Sequence, residues 1–375
     1  MLINKCMKEM TNMIRILQVV GGLNTGGAEN LLMSIYRAID RNEIQFDIIK
    51  HSKMPQFFDD EIRRLGGCIY SCPQYKGWNH MQYVKWWEEF FAKHTEYRII
   101  HSHIRSTASI FLKIASKHGL VTIAHSHNTS NGKGISSFAK QYLQKSLAKN
   151  VDFRFACSEE SGKWLFGENY DFTIIKNGID LRRFTFSEEA RKNVRKELKI
   201  SDDEILVGHI GRLNTQKNHL FLLDIFDEIY KHNSKAKLIM LGEGPLEAEI
   251  LEKRESLQSK NAIQYLGVKG NTQDYYSAMD CFVLPSLWEG LPVALVEAQA
   301  EGLPCFVSNT ITNEVKLSDE LHYLPINLGT GIWKDTILAN DLKRYDAKNR
   351  IIEAGFDIND TAEKLSQFYL IEAKK

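Results

Sequence analysis

Short apolar runs recur along this chain, each bounded by glycine, proline or polar residues and each followed by a stretch of helical periodicity. Met13–Val20 (MIRILQVV) opens the series, and Ala28–Asp40 follows with Leu31, Leu32, Ile35, Tyr36 and Ile39 at helical spacing. Phe46–His51, Ile99–His101, Val121–His125, Phe153–Cys157 and Phe172–Ile175 continue the alternation. It restarts at Ile205–Ile210 and runs through Leu238–Leu241, Ile263–Leu266, Cys281–Leu284 and Cys305–Val307. Such βαβα order predicts an α/β chain whose parallel sheets carry helices on both faces and bind ligands at the carboxyl ends of their strands. No short-period repeat is present, so two doubly wound halves of similar size stand in tandem. The 375 residues suffice for two cores. Asn177-Gly178 is a turn signal at the junction, and the charged stretch Arg182–Asp203 reads as a linker and an exposed helix.

Composition narrows the class. Hydrophobic residues make up 43% and charged residues 25%, ordinary for a soluble globular protein. A formal charge of +1 provides no pull toward nucleic acid. The six cysteines are scattered without a CxxC, which predicts reduced thiols in a cytoplasmic protein. No apolar stretch approaches the roughly 20 residues of a membrane span, so membrane contact is expected to be peripheral. The opening MLINKCMKEMTN is too polar for a signal-peptide core and reads as a loosely attached extension.

The chemistry concentrates in a few stretches. Ser286–Pro304 (SLWEGLPVALVEAQAEGLP) turns through Trp288-Glu289-Gly290 and enters a helix near Pro292; Gly302 and Pro304 stop it. Val293, Leu295, Val296, Ala298 and Ala300 leave almost no polar face, yet Glu297 sits among them. A carboxylate there needs donors, and sugar hydroxyls are good ones. Glu289 lies at the helix mouth, where N–H groups and the dipole favour anions. The arrangement fits a cradle for a sugar carrying a phosphate, or a core helix with one salt-bridged glutamate. In Gly208–Lys217 (GHIGRLNTQK), Arg212 and Lys217 flank a turn before a helix starting near Asn218. Two cations at a strand's carboxyl end can neutralise a diphosphate; taken alone, the loop also reads as solvated basic surface.

Gly21–Gly27 (GGLNTGG) joins the first strand to the first helix without G-x-G-x-x-G spacing, and the next strand lacks a terminal acidic residue. A nicotinamide dinucleotide is therefore not expected. His101/His103 and His125/His127 form two H-x-H pairs. Imidazoles two apart on a strand point the same way, as zinc ligands can, but no neighbouring cysteine or carboxylate completes a set. Ile135–Asn150 is a basic amphipathic stretch that suits packing on a sheet or resting on an anionic bilayer.

Glu289 and Glu297, inside the frame P-S-x-x-E-G-x-P-x-x-x-x-E-A-x-A-x-G-x-P, resemble the signature of the retaining glycosyltransferases of family 4, which have the GT-B fold. G-R-x-x-x-x-K at Gly211–Lys217 and N-G-I-D at Asn177–Asp180 match the same family, and the resemblance spans nearly the whole chain from Met13. It implies two Rossmann-like domains, with a last helix near Asp360–Ala373 crossing back to the first. The domains are then 13–180 plus about 358–375 on the acceptor side, and 181–357 for the nucleotide sugar. It implies that Arg212 and Lys217 hold the departing pyrophosphate, while Glu289 with the backbone of Gly290 and Leu291 holds the sugar. Glu297 would accept from the ribose hydroxyls, and the backbone of Val268 and Lys269 would receive the base. Gly26 and Gly27 would lie beside the diphosphate and acceptor, and His127 would face the sugar; for His103, packing and acceptor contact both stay open. No D-x-D occurs, so the two cations would replace a metal, and no metal or cofactor is expected.

The segments His103–Ile110 (HIRSTASI) and IAHSHNTSNGKGIS look most like bacterial enzymes of capsule or exopolysaccharide assembly. The expected reaction is retaining transfer from a nucleotide diphosphate sugar, UDP-linked by resemblance, to a glycan or lipid-linked oligosaccharide acceptor. A sugar-nucleotide 2-epimerase and a non-catalytic nucleotide-sugar-binding subunit are the alternatives. The enzymatic reading requires the two glutamates and the arginine–lysine loop to converge.

Overall fold

The computed structural model describes residues 13–24, 26–105, 107–127, 144 and 146–375. They form two compact units: one runs to Gly178 and takes in Ile358–Lys375, the other is Ile179–Asp357. The N-terminal extension and most of Ile135–Asn150 fall outside the described residues. No helix among those described is long and apolar enough to cross a membrane.

The first unit holds β1 (Ile14–Val20), β2 (Ile44–Lys50), β3 (Ile69–Ser71), β4 (Ile99–Ser102), β5 (Val121–Ser126), β6 (Phe153–Ala156) and β7 (Thr173–Ile174). They pair in the order β3-β2-β1-β4-β5-β6-β7, all parallel. Every residue of β2 is buried because helices cover both faces of the sheet. On one face, Leu31, Leu32 and Tyr36 from helix Gly27–Ala38 pack with Phe46 and with Leu365 and Tyr369 of the terminal helix Ile358–Glu372. On the other, Trp87 of helix His80–Lys93 stacks on Phe111 at 4.5 Å. The terminal helix thus returns to the first unit by burying its apolar face there.

The second unit holds β8 (Ile205–Ile210), β9 (Ala236–Leu241), β10 (Ile263–Tyr265), β11 (Cys281–Leu284), β12 (Cys305–Ser308) and β13 (Leu321–Leu324). Their order is β10-β9-β8-β11-β12-β13, again parallel. In each sheet the winding reverses once, between β1 and β4 and between β8 and β11. Doubly wound sheets bind their ligands at the strand ends where the winding reverses.

The charged stretch after Arg182 contains helix Glu188–Glu197, most of whose residues are exposed as expected, but its two arginines turn inward. Arg195 is 2% exposed and donates to Ala278, Ser201 and Glu204 carbonyls. Arg191 and Arg195 both reach Asp280, whose other bond is to the Leu206 amide. The buried guanidinium is held by its two terminal nitrogens, which meet three carbonyls and the Asp280 carboxylate.

Candidate active site

The reversal point of the second sheet carries the charged residues. β8 ends in the loop Gly211–Lys217, β11 in the loop that runs through Glu289, and the two loops are bonded together. The Leu287 amide donates to the Gln216 carbonyl at 2.8 Å, and the Asn218 side chain donates to the Pro285 carbonyl at 3.1 Å. Lys217 Nζ lies 2.6 Å from Glu289 Oε1, and Gln216 Nε2 donates to the other carboxylate oxygen at 3.1 Å. The glutamate is 7% exposed. Arg212 is exposed, with no side-chain partner among the described residues. The acidic and basic residues of the sequence therefore meet at one crevice edge, one cation paired and one free.

Past Glu289 the chain enters helix Val293–Ala300 through Pro292, with no side-chain cap. The amides of Glu289, Gly290 and Leu291 have no protein partner among the described residues. Donors left open at a helix mouth suit an anion or a sugar hydroxyl. The far end closes tightly: Leu303 and Gly302 amides donate to the Ala298 and Gln299 carbonyls, with Gly302 at φ +76°. A side chain at Gly302 would strike the Tyr345 carbonyl.

Glu297 already has a donor that the sequence reading did not supply: Tyr276 Oη lies 2.9 Å from Oε2. Burial dominates, opposed by that hydrogen bond and by Arg183, and the Glu297 carboxyl is pushed up to about 7. Gly267, at φ +66°, turns the chain so that Val268 is exposed, and Lys269 Nζ sits 5.8 Å from the Tyr275 ring centre. The backbone N–H and C=O groups of Val268 and Lys269 have no protein partner among the described residues, as a base edge would require. Beneath the Gly211 turn lies a buried pair, His209 and His219, with ring centres 4.6 Å apart. His209 donates through Nδ1 to the Val283 carbonyl at 2.8 Å, and burial lowers its pKa to about 4 and that of His219 to about 2.

The reversal point of the first sheet carries four neutral imidazoles, with the Glu29 carboxylate at the helix mouth. Gly26 caps the helix that follows β1, and the Glu29 carboxylate folds back against it, so a side chain there would require that carboxylate to shift; Gly27 has open space. His101, His103, His125 and His127 stack along the ends of β4 and β5, with neighbouring ring centres 4.0–5.5 Å apart. His101, His103 and His125 bring one nitrogen each within 4.8 Å of the others. Both nitrogens of His101 and of His103 are engaged, however, by Tyr369, Gln18 and the other two histidines. Sequence spacing exposed the two H-x-H pairs, but nothing in it pointed to Gln18 or Tyr369.

Comparisons with known proteins identify the family and the fold. The profile described as Glycosyltransferase Family 4 matches residues 25–183, and that described as Glycosyl transferases group 1 matches residues 190–322. The chain is similar to the putative glycosyltransferase EpsF of Bacillus subtilis, 31% identical over 374 residues that cover 96% of this chain and 97% of that one. It is 24% identical to the capsular polysaccharide biosynthesis glycosyltransferase CapH of Staphylococcus aureus, covering 96% and 99% of the two chains. It is 25% identical, over 74% of this chain and 76% of the other, to the UDP-Gal:alpha-D-GlcNAc-diphosphoundecaprenol alpha-1,3-galactosyltransferase of Escherichia coli. Among solved structures, Anabaena HepE in complex with UDP and glucose superposes with a TM-score of 0.78 at 16% identity, covering 95% of this chain and 99% of that one. The lipopolysaccharide glycosyltransferase WaaG superposes at 0.72 with 14% identity, covering 94% and 99%. These structures establish the GT-B fold, and the chain belongs to glycosyltransferase family 4.

Proposed function

We propose that the protein transfers a sugar, with retention and without a metal, from a UDP-sugar to a hydroxyl of a lipid-linked glycan in capsule or exopolysaccharide assembly. The observation that carries this reading is the Lys217–Glu289 contact of 2.6 Å beside three open amides at the sheet's reversal point. Lys217 and Arg212 would neutralise the diphosphate as its bond to the anomeric carbon breaks. Glu289 and the Gly290–Leu291 backbone would hold the sugar, and Glu297 the ribose. The new bond forms from the acceptor oxygen to the same face of the anomeric carbon, and the acceptor's proton passes to the departing phosphate oxygen. His127 would orient the sugar and is not a nucleophile. The UDP-linked donor and lipid-linked acceptor are supported by the activity of the Escherichia coli relative. Such an acceptor would keep the enzyme at the inner membrane surface as a peripheral protein.

The test is a panel of UDP-, GDP- and ADP-sugars scored for thermal stabilisation, because a ligand that binds only the folded chain raises the melting point. Product anomers are then read by NMR with a diphosphoundecaprenol-linked sugar as acceptor, in the presence and absence of EDTA. Stabilisation by UDP-sugars and an axial product unaffected by EDTA support the proposal. An inverted product, loss of activity in EDTA, or epimer formation from UDP-N-acetylglucosamine without acceptor would refute it.

A further inference from the structure

Six polar side chains of the first unit form one run of hydrogen bonds. Tyr369 Oη lies 2.6 Å from His101 Nδ1 and 3.3 Å from Gln18 Nε2. On one side the run continues from His101 Nε2 to His125 Nδ1, 3.2 Å. On the other it goes from Gln18 Oε1 to His103 Nε2, 2.9 Å, and from His103 Nδ1 to His127 Nε2, 2.8 Å. It ends on two buried nitrogens without partners among the described residues, His125 Nε2 and His127 Nδ1. Burial holds all four imidazoles neutral: His101 and His127 are lowered to about 3, and His103 and His125 lie well below the usual histidine range.

A neutral imidazole donates at one nitrogen and accepts at the other, so the direction of any one bond dictates the next. Two directions are conceivable for the whole run, related by turning over the Gln18 amide. The distances separate them. A phenol donating to an amide oxygen would stand about 2.7 Å away, whereas Gln18 is 3.3 Å from Tyr369, the length of a weak amide donation. The 2.6 Å contact suits the phenol donating to His101. Tyr369 therefore donates to His101 and accepts from Gln18. The Gln18 oxygen then faces His103, which donates Nε2–H and accepts at Nδ1 from His127 Nε2–H. His127 Nδ1 is left as a bare lone pair.

We infer that Tyr369, acting through Gln18 and His103, holds His127 in the tautomer that meets the donor sugar as a hydrogen-bond acceptor for one of its hydroxyls. The inference rests on the reading that His127 faces that sugar. Tyr369, Gln18 and His103 are positioning residues: they set which atom of His127 carries the proton. Without the phenol the Gln18 amide is free to turn over, and His127 would populate both tautomers.

The experiment uses the full chain with 15N-labelled histidine and long-range proton–nitrogen correlation at neutral pH. His127 is expected as one tautomer, protonated at Nε2. Tyr369→Phe and Gln18→Leu should each turn it into a mixture with a comparable share of the Nδ1–H form. Transfer from the nucleotide sugar identified by the panel should fall about twofold in Tyr369→Phe, since only one form accepts. A wild-type spectrum with the proton on Nδ1 overturns the inference, and so does a single unchanged tautomer in both variants, which is what a packing role alone would give. The underlying reading fails separately, if His127→Ala transfers sugar at the wild-type rate.

Discussion

The two sheets wind in the same way, one reversing between β1 and β4 and the other between β8 and β11, yet their crevices are furnished oppositely. The second collects full charges: Lys217 against Glu289, and an exposed Arg212 beside them. The first collects neutral imidazoles whose only polarity is the direction of their hydrogen bonds. A shared topology therefore says where a ligand sits, and the side chains at the strand ends decide whether anions or hydroxyls are recognised. The contrast breaks most readily at the ion pair. Lys217→Ala should lower transfer by about 10²–10³ through the lost stabilisation of the departing diphosphate. It should also destabilise the fold by about 3–5 kcal/mol, because Glu289 is left buried and unpaired. Urea melts and initial rates measure the two effects, and Lys217→Met with Glu289→Leu should recover stability without activity. Retained activity in Lys217→Ala would remove charge from the comparison.

Arg212 sharpens the same point from the solvent side. It has no side-chain partner among the described residues, so Arg212→Ala should cut transfer about a hundredfold with an unchanged urea midpoint. A shifted midpoint would mean that the side chain holds structure as well as ligand.

How much of this was legible beforehand depends on where the partner of each residue lies. The strand Ile205–Ile210 and the G-R-x-x-x-x-K loop after it are local patterns, an apolar run and a polar turn, and they stand where the sequence puts them. Helix Glu188–Glu197 misled because its arginines look like a solvated face until Asp280, about ninety residues on, turns them inward. The donor to Glu297 was missed for a similar reason: Tyr276 belongs to another helix and reads as ordinary core. Tyr369 is 268 residues from His101, and no periodicity connects them. Neutral networks of this kind leave little trace in a sequence, whereas paired opposite charges in a recurrent frame leave a clear one.

Acid should weigh more heavily on the imidazoles than on the carboxyls. His101, His103, His125, His127, His209 and His219 all have folded-state pKa values below the ordinary 6.5. Folding therefore excludes protons that the unfolded chain binds, and stability falls as pH drops below about 6.5. Each histidine that stays neutral costs about 2 kcal/mol between pH 7 and pH 5. Glu297 and Glu301, both raised to about 7, work in the opposite sense, since their burial is less costly once protonated; each returns about 2 kcal/mol over the same range. With more histidines than such glutamates, the net change is a loss. A chain as stable at pH 5 as at pH 7 would contradict the neutral first crevice.

The smallest expected effect is the most specific, and it concerns Glu297, one of the two carboxyls poised near neutrality. Glu297 is charged only above about pH 7, and in the proposed role it would accept from ribose hydroxyls better as a carboxylate than as an acid. Affinity for UDP should then rise by up to about tenfold between pH 6 and pH 8, the change in its ionised fraction. The terminal phosphate of UDP also loses a proton near pH 6, so the wild-type profile alone is ambiguous. Glu297→Gln separates the two contributions: it keeps the shape and the Tyr276 contact but cannot titrate. Calorimetry across that pH range should find the variant's profile flatter than the wild type's, with only the phosphate's share remaining. Superimposable profiles would place the ribose away from Glu297 and make this helix a structural element with an ordinary buried glutamate.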